Sequence, residues 1–294
     1  MKPLDLLLAL AVPTIWGLGF TAAKAGLDQF PPILLMALRF TLTALVLVWF
    51  VKPPWPNMGR IFVIAVVSAT IQYSLTFTGL KDLYASTAVI VVQLEVPFGA
   101  LLAALFLKER LGARPAFGMA LAFVGVALIA GEPRLGGDHM ALILVVSGAF
   151  VWAIGQVMIK AMGPFGGFTL IAWVAVFAAP QLFLSSWLFE DGQLEAIRDA
   201  DWRGWAVVLY LGLVMTALGY AIWYRLLATY RINQVMPFLL LLPVTSVGGS
   251  MLFLGERLST MVATGGAIVI AGVAIIIVER VPFRFPWGGR TGLG

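Results

Sequence analysis

From residue 4 to residue 280 the chain is a succession of ten apolar runs, parted by short breaks rich in charge, proline or glycine. The runs lie near 4–24, 31–51, 60–80, 84–107, 114–131, 139–160, 167–189, 202–226, 232–254 and 260–280. About 20 helical residues, each rising 1.5 Å, cross the ~30 Å hydrocarbon layer of a bilayer. Ten such runs in series therefore predict membrane spans. Composition agrees, since only 11% of residues are charged and 61% are hydrophobic, against about 25% charged in a soluble domain. The runs are rich in Leu and Ala and lack the two-residue alternation of barrel strands. The fold class is thus an all-α integral membrane protein with ten transmembrane helices.

Several chemistries are excluded by residue type. The chain has no cysteine and a single histidine, His139, so disulfides, thiolate metal centres, thiol nucleophiles and multi-histidine metal sites are ruled out. It carries no Gly-x-x-x-x-Gly-Lys-Ser/Thr loop for ATP hydrolysis. No cofactor or metal is expected, and the chain is read as a non-enzyme. A net charge of +5 is spread over loops rather than clustered on one face, so no nucleic-acid partner is expected. Sorting the loops alternately puts twelve basic residues on the side of the N-terminus and six on the other, with Arg39 left inside a run. The positive-inside rule then places both termini in the cytoplasm. Lys2 and the apolar run behind it imitate a cleaved leader, but the first run has a partner later in the chain and is read as a span.

That partner belongs to an internal repeat. Trp16, Gly19 and Lys24 recur with the same spacing as Trp152, Gly155 and Lys160; Pro97 recurs as Pro243. Glu109-Arg110-Leu111 recurs as Glu256-Arg257-Leu258, followed by Gly118 and Gly125 matching Gly265 and Gly272. The chain is therefore two five-helix units, 1–135 and 136–281, with a short cytoplasmic tail at 282–294. Five is odd, so the second unit enters the membrane from the opposite side and the repeats are inverted. Such repeats typify secondary transporters, whose site lies near mid-membrane between the units.

The same residues carry a family resemblance. Trp16-Gly17-Leu18-Gly19-Phe20 with Lys24, Arg39-Phe40, and Pro97 through Lys108-Glu109-Arg110-Leu111 stand in the first half. Trp152 through Lys160, and Pro243 through Gly255-Glu256-Arg257-Leu258, stand in the second. The pattern resembles the EamA family of the drug/metabolite transporter superfamily over nearly the whole chain to about residue 280. Within it, the sequence looks most like YddG-type exporters of aromatic and other neutral amino acids. The resemblance implies that substrate class, the ten-helix fold and the bacterial inner membrane.

Candidate site residues are those out of place in lipid. Trp16 and Phe20 share a helical face with Lys24; Trp152 and Gln156 share one with Lys160. Gln72, Tyr73 and Thr76 stand in the third run, Gln93 in the fourth, Thr216, Tyr220 and Tyr224 in the eighth, and Met236 in the ninth. Neutral polar and aromatic groups suit a zwitterion with an apolar side chain. The tryptophans could instead be packed at helix seams, and the threonines could bond a carbonyl one turn back. Pro97, Pro237 and Pro243 predict kinks, and with them hinges or gates. Arg39 and Glu95 are the charges deep in the spans. They could form an ion pair, Glu95 could carry a coupling proton, or Arg39 could meet a substrate carboxylate.

The expected function is a secondary transporter exporting small amphipathic metabolites, foremost neutral and aromatic amino acids, by alternating access through a cavity between the repeats. A drug, cation or sugar-nucleotide carrier of the same superfamily is the alternative, and a non-catalytic membrane channel is the rival from another class. The partners are the solute and membrane lipids; one copy suffices for transport, and a dimer stays open.

Overall fold

A computed structural model describes residues 2–106, 112–131, 139–163, 165–230 and 235–277, apart from the side chains of Tyr224, Leu227, Ala228, Met236 and Pro237. The Glu109-Arg110-Leu111 motif lies outside the described residues. In hydrocarbon every backbone N–H and C=O must find a partner within the chain, and apolar sequences therefore span as helices. Among the described residues nine helices are long and apolar enough to cross a membrane: α1 (Pro3–Gly26), α2 (Pro32–Phe50), α3 (Met58–Asp82), α4 (Ala85–Phe106), α5 (Ala113–Ala130), α6 (His139–Ala161), α7 (Gly167–Phe189), α8 (Trp202–Trp223, continuing as Gly219–Thr229) and, after the span described next, α10 (Thr260–Ile277). The remaining span, α9, is a 3₁₀ turn at Met236–Leu240 followed by an α-helix at Leu241–Phe253. Proline occupies the first turn of α1 and of α2, where its missing N–H has no partner to lose. The long loop after α7 holds a short helix, Gln193–Asp199. Trp49, Trp55, Trp187 and Trp202 are exposed at span ends, the level at which indole rings anchor to the bilayer surface.

The packing follows the repeat. α1 lies against α9 and α8, and α6 lies against α4 and α3, which is the same arrangement with the halves exchanged. α2 pairs with α7, and α5 pairs with α10. The glycines of the last pair show the two-fold relation directly. A Cβ added to Gly118 would lie 2.6 Å from the Gly272 carbonyl oxygen, and one on Gly125 would lie 2.7 Å from that of Gly265. Exchanging the halves turns the first pair into the second.

Each half carries the same two irregularities. The third helix of each unit contains a π-helical stretch, Val66–Ile71 in α3 and Tyr210–Leu218 in α8. Each also breaks its fourth span two residues before a proline. In α4 the helix runs Ala85–Val92, turns at Gln93 and Leu94, and resumes at Glu95. Tighter bonds close that turn, with Gln93 N donating to Ile90 O, Leu94 N to Val91 O and Val96 N to Gln93 O, each at 3.0–3.1 Å. Pro97 has no N–H, and its ring crowds the Gln93 carbonyl one turn back. In α9 the change from 3₁₀ to α falls at Leu241, two residues before Pro243.

Candidate functional site

The bundle encloses a cavity of about 370 Å³ between the two halves. α1 contributes Trp16, α2 Phe40, α3 Ser68 and Tyr73, α6 Trp152 and Gln156, and α8 Tyr220 and Trp223. Leu170, Ile171 and Val174 of α7 and Leu239 of α9 complete an apolar wall. Gly163, Phe165 and Gly167 also line it, so the cavity reaches the α6–α7 connection, on the side of the membrane where the N-terminus lies. That side is called proximal below, and the other distal.

Aromatic contacts organise the walls. Trp16 sits with its ring centroid 5.1 Å from Tyr220 and 5.7 Å from Trp223, and its indole Nε1 donates to the Met215 carbonyl at 3.0 Å. Met215 belongs to the π-helical stretch of α8, where the wide turn brings that carbonyl toward α1. Gly219, one turn on, leaves the space that the Trp16 indole fills. Opposite, Phe40 meets Tyr73 edge-on at 5.1 Å, Tyr73 stacks with Phe77 at 5.6 Å, and Phe77 stacks with Phe20 at 6.0 Å. The Tyr73 hydroxyl, the Trp152 Nε1 and the Gln156 amide make no hydrogen bond among the described residues. Among the described residues the lining has no carboxylate and no cation.

Distally the cavity is shut. Beyond the Phe20–Phe77 stack, the Lys24 ammonium donates to the Leu80 and Lys81 carbonyls at 3.0 and 2.6 Å, tying the end of α1 to the end of α3. Three carboxylates sit on helix N-termini at the same level, where free N–H groups and the helix dipole favour an anion. Glu256 accepts from Ala85 N, Ser86 N and Ser86 Oγ at 2.7–3.1 Å. Glu190 accepts from Ile33 N and Leu34 N. Asp201 accepts from Arg203 N and Gly204 N while exchanging two bonds with the Gln29 amide. The Gln29 hydrogen bond, ahead of the two backbone donors, holds the Asp201 carboxyl below the usual carboxylate range. Proximally, Tyr230 donates to Asp5 at 2.8 Å and Arg225 faces Asp5 at 3.6 Å, clamping the start of α1 to the end of α8.

Glu256 is buried, so its loss has a definite consequence. Glu256→Ala strands three donors and is expected to destabilise the protein by about 3 kcal/mol, with Glu256→Gln near half of that. Thermal unfolding in detergent measures both; an unchanged midpoint in the alanine variant would show that water replaces the cap at no loss.

Of the residues singled out in the sequence, Trp16, Tyr73, Trp152, Gln156 and Tyr220 line the cavity. Others lie elsewhere. Thr76 fills the notch left by Gly148 at the α3–α6 seam, and Gln72 donates to Thr76 Oγ1 at 3.1 Å in the same seam. Thr216 is buried, donating to Leu211 O and accepting from Arg39, a form of the back-bonding considered above. Phe20 is buried in the distal stack. Gln93 stands at the break of α4, away from the lining. The side chains of Tyr224, Met236 and Pro237 lie outside those described. Arg39 and Glu95 form no ion pair: Arg39 bonds Thr216, and Glu95 has no partner among the described residues. Phe40, Ser68 and the α7 residues join the lining without having been expected there, and Trp223 lines it beside Tyr220. Trp173, two turns into α7, donates its indole N–H to the Lys52 carbonyl at 3.3 Å and acts as a proximal anchor.

With this geometry in place, the chain can be set beside known proteins. The pattern of the EamA-like transporter family matches residues 4–131 and 139–278. A protein of Salmonella typhimurium LT2 named "probable amino-acid metabolite efflux pump" is 33% identical over 285 residues, covering 94% of this chain and 95% of the relative. The protein of the same name in Escherichia coli K12 is 31% identical over 286 residues, with the same coverage. A solved crystal structure superposes with a TM-score of 0.63 at 19% identity, over 94% of this chain and 96% of the other, a likeness of fold.

Proposed function

The chain belongs to the EamA-like transporter family, and from that premise we propose that it exports neutral amino acids, aromatic ones included, by alternating access through the cavity between its repeats. The carrying observation is the lining: ring faces, one amide, one phenol and one indole N–H with free hydrogen-bonding capacity, and no charge among the described residues. Such a surface takes the apolar side chain of a zwitterion by stacking and its polar end by hydrogen bonds. A volume of about 370 Å³ falls at the small end of the range for small-molecule sites. The names of the two efflux-pump relatives support the same solute class.

Twelve basic residues on the proximal side support its assignment to the cytoplasm. The cavity then opens toward the cytoplasm and is closed outward, the state in which an exporter loads. Pro97 and Pro243, at equivalent breaks in α4 and α9, supply the hinges about which the bundle changes state. The cycle routes no proton through Glu95, which stands outside the lining.

Counterflow of labelled neutral amino acids into proteoliposomes tests the assignment. Trp16→Ala and Trp152→Ala are each expected to cut saturable uptake at least tenfold, with helix content and elution volume unchanged. Uptake that survives both changes would remove the cavity from the path. Uptake of organic cations or nucleotide sugars in place of amino acids would favour the other carriers of the superfamily, and flux without saturation would favour a channel.

A further inference from the structure

Among the described residues Arg39 is the largest side chain fully withdrawn from the surface, 1% exposed in the middle of α2. A guanidinium at that depth demands partners, and those it has are weak. Its Nε donates to Thr216 Oγ1 at 3.0 Å, and Nη1 reaches only the Met36 sulfur, at 3.8 Å. Its central carbon lies 4.9 Å from the Tyr73 ring centroid and 5.4 Å from that of Phe40. No carboxylate pairs with it among the described residues. Two of its five N–H donors are thus engaged, one of them by a thioether, and the cation has no counter-anion.

Its position gives this meaning. Tyr73 and Phe40, the two rings that cover it, are themselves walls of the cavity. Thr216, which holds it, follows Met215, whose carbonyl holds the Trp16 indole. The Arg39 backbone is fixed as well, since Thr43 Oγ1 bonds both the Arg39 carbonyl and that of Gly212 in α8. A rigidly mounted, unneutralised cation therefore lies one ring's thickness behind the wall, level with the Trp16–Tyr220 pair.

We propose that Arg39 receives the carboxylate of the transported solute when the Tyr73 ring swings aside. The planar guanidinium matches a carboxylate in bidentate fashion. Until a solute arrives, the ring faces and the thioether shield the cation. The consequence is a substrate rule: solutes carry a carboxylate beside an apolar group, and the corresponding amides are poor substrates. The inference rests on the cavity reading above and adds the group that selects within it.

The test compares acids with their amides. Phenylalanine and phenylalaninamide form one pair; 3-phenylpropionate and its amide form a second pair without an ammonium group. For the wild type, Arg39→Lys and Arg39→Gln, transport is measured by counterflow and binding by thermal stabilisation. The wild type is expected to prefer each acid over its amide at least tenfold. Arg39→Gln should bring the ratio to within about twofold while amide handling stays as before, and Arg39→Lys, a charge without the fork, should fall between. A residue that merely packed α2 against α8 would lower both members of a pair equally, and an unchanged ratio in the variants overturns the proposal. If Arg39→Gln does not fold, a lysine variant keeping the wild-type ratio overturns it equally. Should the wild type handle no amino acid, the amino-acid assignment fails by itself; Arg39 is then judged on the phenylpropionate pair, and no preference there refutes it.

Discussion

Leucine at Gly272 is expected to abolish the stable bundle. A Cβ on Gly272 would lie 2.5 Å from the Gly118 carbonyl oxygen and 2.7 Å from the Ala122 nitrogen. Both are backbone atoms of α5, and no rotamer change relieves them. The two helices would have to separate along their length, and the Gly125–Gly265 contact, 2.7 Å in both directions for an added Cβ, would open with them. Helices in lipid associate by close packing, because the surrounding tails are as apolar as the side chains. The loss is therefore not recovered by hydrophobic burial, and a cost of at least 3 kcal/mol follows. Helix propensity works the other way: leucine is better than glycine by nearly 1 kcal/mol, so destabilisation can only come from the interface. Gly118→Leu should behave alike, by the two-fold relation. Gly99→Ala and Gly248→Ala, whose added Cβ meets nothing within 4 Å, serve as controls and should melt as the wild type. A Gly272→Leu protein with a wild-type unfolding midpoint would show that α5 and α10 are not held by this seam.

These glycines also show how far the sequence could be read. Their offsets revealed the repeat, yet which glycine faces which follows only from the axis that relates the halves. Spans were legible because hydrocarbon imposes one length and one polarity on every crossing segment. The break in α4 was legible from Pro97, a residue whose chemistry acts locally. The π-helical turns were not, because Tyr210–Leu218 reads as an ordinary apolar run, and its widening depends on what α1 and α2 press against it. The cavity divides in the same way. Trp16, Tyr73, Trp152, Gln156 and Tyr220 were conspicuous in a lipid-soluble sequence and do line it, whereas Leu170, Ile171 and Val174 resemble any other wall of α7. Gln72 and Thr76 were equally conspicuous but bond each other at a seam made by Gly148. Polarity marks a residue that needs a partner; only packing says whether that partner is a solute or a neighbour. Glu190 carried no signal, since a loop glutamate does not disclose the helix whose N-terminus it will reach.

Methionine at Lys24 is expected to open the distal end of the cavity. The lysine stands in the last turn of α1, and its ammonium bonds two carbonyls at the end of α3, where no helical N–H is available to them. A cation at that position also meets the negative end of the helix dipole. Methionine keeps the apolar stem and removes both bonds. Hydrogen bonds to a charged group contribute about 1.5–3 kcal/mol, and at a half-buried site the pair amounts to about 2–3 kcal/mol. If the distally closed state depends on this tie, the population of the open state rises by roughly 30- to 150-fold, at 1.4 kcal/mol per decade. The Phe20–Phe77 stack beneath it then parts with α1 and α3. The absence of cysteine gives a clean background for the measurement. Ser68, in the cavity wall, becomes the single thiol as Ser68→Cys and is probed with an impermeant maleimide in vesicles of each orientation. From the distal side the thiol should react slowly with Lys24 present and at least tenfold faster with Lys24→Met; Lys24→Arg, which can still donate to both carbonyls, should stay slow. The vesicle orientation in which the difference appears also reports which face of the membrane is distal. A rate unchanged in both orientations would mean that the aromatic stack seals the end unaided and that Lys24 serves only to cap α3.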